Sequence, residues 1–236
     1  MITQISDLRE FDLMPQKGIE AQKIRALYLA YGTDYDFCRF YRQGSTYLSL
    51  LDGAAVLYAD DSADITEIAQ FLMVSGCREV FCSTNAAAAL APLMNTSCTY
   101  VNLMRFCGEP YNAPLDTEPS LSDVYDIVRE GFDIDFEPWY LDMSHRVRHG
   151  ISQCRVLEEK AALVIQHDIN GEALISQVAT LNDHRGNGLA SRLVRAAAHS
   201  LHPSEVYIIC EDELVGFYRK CGFEESGKKC LIYCKP

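Results

Sequence analysis

The sequence predicts a mixed α/β fold in two successive parts, and three observations carry that prediction. Strand-like and helix-like patterns alternate, in the order strand-strand-helix-strand-helix-strand, over roughly the first hundred residues and again in the second half. Asp52-Gly53, set between apolar runs at 45–51 and 54–59, is the strongest short hairpin signal in the chain. Residues 173–201 read as a strand, a glycine-bearing turn and an amphipathic helix. That arrangement gathers unpaired main-chain N–H groups and a positive helix end at one point, where an anion can bind.

Taken in order, residues 18–29 give a helical pattern, and an aromatic, turn-rich stretch follows at 33–44. Beyond the hairpin, Asp61 or Ser62 can cap a helix at 65–74 that Gly76 closes. A strand at 79–82, an alanine-rich helix at 85–93 and a strand at 98–106 complete the first part. Residues 108–120, with three prolines and no periodicity, read as a linker. The expected division is therefore an α/β domain at 1–107, a linker at 108–120 and a second domain at 121–236. In the second domain, helices are expected at 121–130, behind a cap at Ser120 or Ser122, and at 137–148. Strands follow at 152–157 and 161–166, and Asp168 to Gly171 turn the chain into the strand at 173–180.

Composition narrows the function classes. With 48% apolar residues the chain can build a sizeable core. The formal charge is −12, with acids outnumbering bases in both halves, which disfavours nucleic acid and anionic membrane as partners. The N-terminus lacks a basic-then-apolar signal layout, and no apolar run approaches the roughly 20 residues a bilayer span needs. A cytosolic location is expected, with the ten cysteines reduced and mostly buried. No metal is expected: there is no CxxC, Cys230 and Cys234 lack a second pair, and Arg146 and Arg148 stand beside the His145/His149 spacing.

The turn at 185–190, Arg-Gly-Asn-Gly-Leu-Ala, admits several phosphate binders. A P-loop needs GxxxxGK[ST]; the one near match, at 222–229, puts lysine where the metal-binding hydroxyl belongs. A dinucleotide fingerprint is half matched, but Ser191 takes the third glycine's place and too little chain follows for a doubly wound sheet. The stretch VATLNDHRGNGLASRLV instead resembles the acetyl-CoA motif of the GNAT superfamily, Gln/Arg-x-x-Gly-x-Gly/Ala, here on Arg185, Gly188 and Ala190. A second block in register, a strand at 206–210, a helix at 211–220 and Tyr218, Gly222 and Phe223, resembles the family's Tyr-x-x-x-Gly-Phe signature. Glu211 departs from the asparagine of many members.

The resemblance implies a GNAT-like, mostly antiparallel sheet flanked by helices, preceded by a smaller α/β domain that is itself a degenerate GNAT-like copy or an unrelated α+β domain. It implies transfer of an acetyl group from acetyl-CoA to a primary amine of a small molecule or peptide, with CoA as product. In that scheme Arg185, Gly186, Asn187, Gly188, Leu189 and Ala190 would hold the pyrophosphate, and main chain at Val178, Ala179 and Thr180 the pantetheine. Tyr218 would be the acid for the leaving thiolate. The acidic-aromatic segment with Asp133, Asp135 and Glu137 is the candidate for amine recognition and for a water-mediated base. The N-terminal part would wall the acceptor pocket or form a homodimer contact. A second class stays open: a GNAT-like scaffold that holds CoA, or nothing, as a partner of another protein.

Overall fold

In the computed structural model, which describes residues 1–234, the chain divides into two compact units. The first takes Met1–Val101 together with the segment that begins at Gly227; the second runs from Asn102 to Ser226. The division is discontinuous, where sequence composition alone placed contiguous domains around a linker at 108–120.

In the first unit, β1 (Thr3–Gln4), α1 (Ile19–Tyr31), β2 (Cys38–Gln43), β3 (Thr46–Leu51), β4 (Ala54–Tyr58), α2 (Ile65–Val74), β5 (Glu79–Ser83) and α3 (Thr84–Leu93) follow one another. Strands β1 to β4 pair antiparallel in sequence order, and β4 and β5 are parallel. Asp52 and Gly53 both hold positive φ, 45° and 84°, as a two-residue hairpin turn demands. Of the turn-rich stretch expected at 33–44, residues 33–37 are turn and irregular as expected, while β2 takes 38–43: Cys38, Phe40 and Tyr41 bury their side chains, and burial overrides local turn propensity there. The helix at 65–74 has its expected bounds but a different cap. Asp64 accepts from the Glu67 N–H at 3.1 Å, while Asp60, not the helix, engages Ser62.

Residues Lys229–Tyr233, late in the chain, pair antiparallel with β5 and complete this sheet. Lys229 Nζ reaches both carboxylate oxygens of the buried Glu20 on α1, at 2.6 and 2.8 Å. Leu48, Leu57, Ile68, Leu72, Leu90 and Ile232 form the core between this sheet and its helices.

The second unit begins within β6 (Cys98–Phe106) and continues through α4 (Leu121–Val128), α5 (Phe136–Arg148), β7 (Gln153–Leu157), β8 (Ala161–Ile169), β9 (Glu172–Thr180), α6 (Leu189–Ser200), β10 (Glu205–Cys210), α7 (Asp212–Lys220) and the start of β11 (Phe223–Tyr233). Its strands lie in the order β6-β10-β9-β8-β7; β9 and β10 are parallel and the other pairs antiparallel. Ser120 caps α4, as expected. One core, with Leu163, Ile175, Leu193, Ala197 and Ile208, lies between the sheet and α6; another, with Val124, Val128, Trp139, Val156 and Val164, lies under α4 and α5.

Among the described residues no helix is long and apolar enough to cross a membrane, and no cluster of His, Cys, Asp and Glu could hold a metal ion. All ten cysteines are free thiols. The observed cap makes a direct test: Asp64→Ala should lower unfolding stability by about 1 kcal/mol, whereas Asp61→Ala should change it by less than about 0.5 kcal/mol, both read from denaturant midpoints.

Candidate functional site

The site begins where two parallel strands part. Pairing between β9 and β10 runs from Glu172–Glu205 to Ile175–Ile208 and stops. In the next residues β9 carries a bulge against β8: Ala179 faces Ala162 and Ser176 faces Val164, so that two residues, Gln177 and Val178, oppose one. Gln177, in the bulge, has φ +48°, a region uncommon for a non-glycine residue. Its partner is Trp139 of α5, whose buried indole Nε1 donates to Gln177 Oε1 at 3.0 Å.

Beyond β9 the chain turns through residues 181–188, braced by Glu130 just past α4. The Glu130 carboxylate accepts the Asn182 N–H at 2.7 Å, and its carbonyl accepts Arg185 Nη2 at 2.8 Å. Arg185 Nε donates to the Thr180 carbonyl at 3.1 Å. Gly188 then opens α6 from the left-handed region, φ 73°, where a side chain would be strained. The first bond of the helix is Arg192 N–H to the Gly188 carbonyl, so the N–H groups of Leu189, Ala190 and Ser191 have no partner within the helix.

These pieces line one cleft of about 420 Å³, with Val178, Ala179, Thr180, Arg185, Gly186, Gly188, Leu189 and Ala190 on its wall and Gly131, His184 and Ser191 beside them. Helix α7 closes it with Leu214, Phe217 and Tyr218. Tyr218 is 6% exposed, its ring edge-on to Phe217 and Phe223 at 5.0 and 5.9 Å. Burial drives its hydroxyl pKa well above that of an ordinary tyrosine. Gly222 makes this possible, because a Cβ there would lie 2.7 Å from the Gly108 Cα. The chain can pass that point and insert Phe223 beneath Tyr218 only without a side chain.

Residues 151–225 match the family model described as the acetyltransferase (GNAT) domain. This part of the chain is a GNAT domain. Solved structures agree in fold. A tandem GNAT protein from the clavulanic acid biosynthesis pathway is 12% identical, with a TM-score of 0.60 over 100% of this chain and 99% of that one. A GCN5-related N-acetyltransferase from Sphaerobacter thermophilus is 14% identical, with a TM-score of 0.60 over 100% and 96%. One from Kribbella flavida is 14% identical, with a TM-score of 0.58 over 81% and 87%. Both halves of the chain thus have a GNAT-like fold. No curated protein matches the sequence.

The GNAT domain brings nearly all the sequence-predicted donor residues to one cleft, with three adjustments. Asn187 is exposed and outside the wall, its side chain donating to the His184 carbonyl at 3.2 Å. Thr180, expected to offer main chain to the arm, is buried with its carbonyl engaged by Arg185; half-buried Val178 lies in the bulge, beyond the last β9–β10 pair. The Arg185 guanidinium holds the turn together through two carbonyls. Asp133, Asp135 and Glu137 are exposed, and none lines the cleft; Gly131 is the residue of their segment that does.

Sequence reasoning missed Glu130, Trp139 and Gln177, which shape the cleft from a distance, and Leu214 and Phe217, which line it. The last two were accessible, since 214, 217 and 218 recur at helical spacing on one face. Trp139→Phe, which strips the Gln177 amide of its donor, should cost about 1 kcal/mol of stability in denaturant unfolding.

Proposed function

We propose that the GNAT domain transfers an acetyl group from acetyl-CoA to a primary amine. The observation that carries the reading is the cleft itself: helix-start N–H groups without helical partners and a buried tyrosine line the same cavity. The fit to the donor is physical. A helix N-terminus in a glycine turn suits a pyrophosphate, and the strand at Val178, past the last β9–β10 pair, suits the amides of a pantetheine arm.

Acetyl-CoA, when bound, supplies the acetyl thioester. The N–H groups from Gly186 to Ala190 bind its diphosphate, and the brace of Glu130 and Arg185 holds them in place before binding. Val178 aligns the arm as an added strand would. Tyr218 donates a hydrogen bond to the sulfur as negative charge develops there, and its raised pKa keeps the proton on the hydroxyl across the neutral range. Asp133, Asp135 and Glu137, exposed on the segment that leads from Gly131, attract a cationic acceptor towards the cleft. The acceptor amine is that of a small molecule or peptide and reacts as the neutral base.

Thermal shift with acetyl-CoA, followed by thiol release across polyamines, aminoglycosides, amino acids and peptide N-termini, tests this directly. Acetyl-CoA should stabilise the wild type and fail to stabilise Gly188→Val, whose side chain is incompatible with the turn. Equal stabilisation of both would remove the pyrophosphate assignment.

Tyr218→Phe should lower kcat by about 100-fold while leaving acetyl-CoA affinity within about twofold. A parallel fall in affinity would mark Tyr218 as a packing residue instead. The pH profile has a definite sign as well. A tyrosine acting as donor loses function as pH rises through its pKa, and burial moves that pKa up, so kcat should hold at about pH 10, where an ordinary tyrosine is half ionised.

A further inference from the structure

A second cleft in the GNAT unit, of about 550 Å³, lies between residues 112–118, strand β7 and the last turns of α6. Arg155 forms part of its wall and is 8% exposed. Its guanidinium meets only neutral acceptors: Nη1 donates to the carbonyls of Cys154 at 2.8 Å and Thr117 at 3.4 Å, and Nη2 to Gln153 Oε1 at 2.5 Å. Buried Nε has no hydrogen-bond partner. Among the described residues no carboxylate forms an ion pair with Arg155, and Asp168 contributes only a weaker attraction at longer range.

This is an unusual state for a guanidinium. Burying an ionised group costs several kcal/mol unless a counter-charge or full hydrogen bonding compensates. Elsewhere in the same unit Arg146 has Asp142 and Arg192 has Glu158, each at 2.8 Å. Within this unit Arg155 is the buried arginine without an acid, in a chain with twelve more acidic than basic side chains; in the first unit Arg25 is likewise buried on neutral acceptors, Gln16 Oε1 and the Met14 and Pro15 carbonyls.

We propose that Arg155 anchors a binding site for a small carboxylate. The Nε–Nη2 edge is the side on which a guanidinium takes a planar carboxylate with two parallel hydrogen bonds. Gln153 Oε1 now engages Nη2 on that edge, and Gln153 is half-buried and itself lines the cleft, so its amide can swing aside. A bidentate pair with an ionised acceptor replaces a single bond to a neutral one. Asn112, Thr117 and Ser200 supply neutral polar groups around it. Glu118, also on the wall, repels each negative charge the ligand carries, so the penalty grows with charge and a monocarboxylate is favoured over phosphate or a tricarboxylate.

Thermal unfolding of the full chain in acetate, glycine, phosphate or chloride at constant ionic strength tests the site. Acetate or glycine should give a saturable rise in Tm of about 2 °C or more over chloride. The rise should persist in Gly188→Val, which separates it from anion binding at the α6 turn. Gln153→Glu is the decisive variant, because it places an internal carboxylate where Oε1 now sits: it should unfold at a higher temperature than wild type and lose the response. Arg155→Lys, which keeps the charge and loses the fork, should bind acetate at least about tenfold more weakly. Identical shifts in all four salts, a larger effect of phosphate, or an undiminished response in Gln153→Glu would each overturn the proposal.

Discussion

The GNAT unit depends on the point at which β9 abandons β10. Up to Ile175 the two parallel strands share a ladder; from Ser176 onward β9 belongs to β8 alone. The bulge at Gln177 and Val178 makes the change, and its left-handed residue costs on the order of 1–3 kcal/mol. Trp139 offsets that cost in two ways, through its indole bond to Gln177 and by burying its ring among Val124, Val128 and Val164. Were Gln177 to relax into the ladder, the strand would flip the faces of every residue after it. Val178 and Thr180 would then leave the cleft wall.

The turn that follows is held by the same economy of backbone groups. Arg185 donates to the Glu130 and Thr180 carbonyls and the Glu130 carboxylate accepts from Asn182, so the turn that leads to the main-chain donors of α6 is braced before any ligand arrives. Preorganised donors give up little entropy on binding, which is where a site made of main chain gains over one made of long side chains. It also explains why an arginine in the motif serves best by bonding carbonyls: a guanidinium committed to the turn orders several N–H groups at once.

How much of this the sequence revealed follows the range of the interactions. The hairpin at Asp52-Gly53, the glycine turn at 186–188 and Tyr218-x-x-x-Gly222-Phe223 are local devices, and each stands where its residues put it. Gln177 carries no local mark, because Ser-Gln-Val has no preference for the left-handed region; only Trp139, 38 residues earlier, specifies it. The cap of α2 went to Asp64 over Asp61 and Ser62, a choice made by three residues of phase. The partner of the last strand was beyond reach altogether. Alternating apolar residues around Cys230 and Ile232 announce a strand with one buried face, but its ladder with β5 joins Ile232 to Val80, far apart in sequence, and its contact with α1 joins Lys229 to Glu20, 209 residues apart.

Charge completes the account of the cleft. A chain of formal charge −12 repels anions at long range, yet beyond a Debye length of roughly 8 Å that repulsion is screened, and what a bound diphosphate meets is local. Helix α6 carries Arg192, Arg195 and no acidic residue, and its positive end faces the turn. Arg192 is neutralised by Glu158, and Arg195 is stacked over the Tyr111 ring at 4.2 Å, so neither swings freely into solvent. The positive potential at the turn therefore comes from fixed groups, the helix dipole and the Arg185 guanidinium held on two carbonyls, which salt weakens less than it weakens mobile surface charges. The acidic surface meanwhile favours cationic molecules in solution. The two fields sort the substrates of the proposed reaction by sign: a local positive end for the anionic donor, and a diffuse negative surface, with Asp133, Asp135 and Glu137 within it, for the amine.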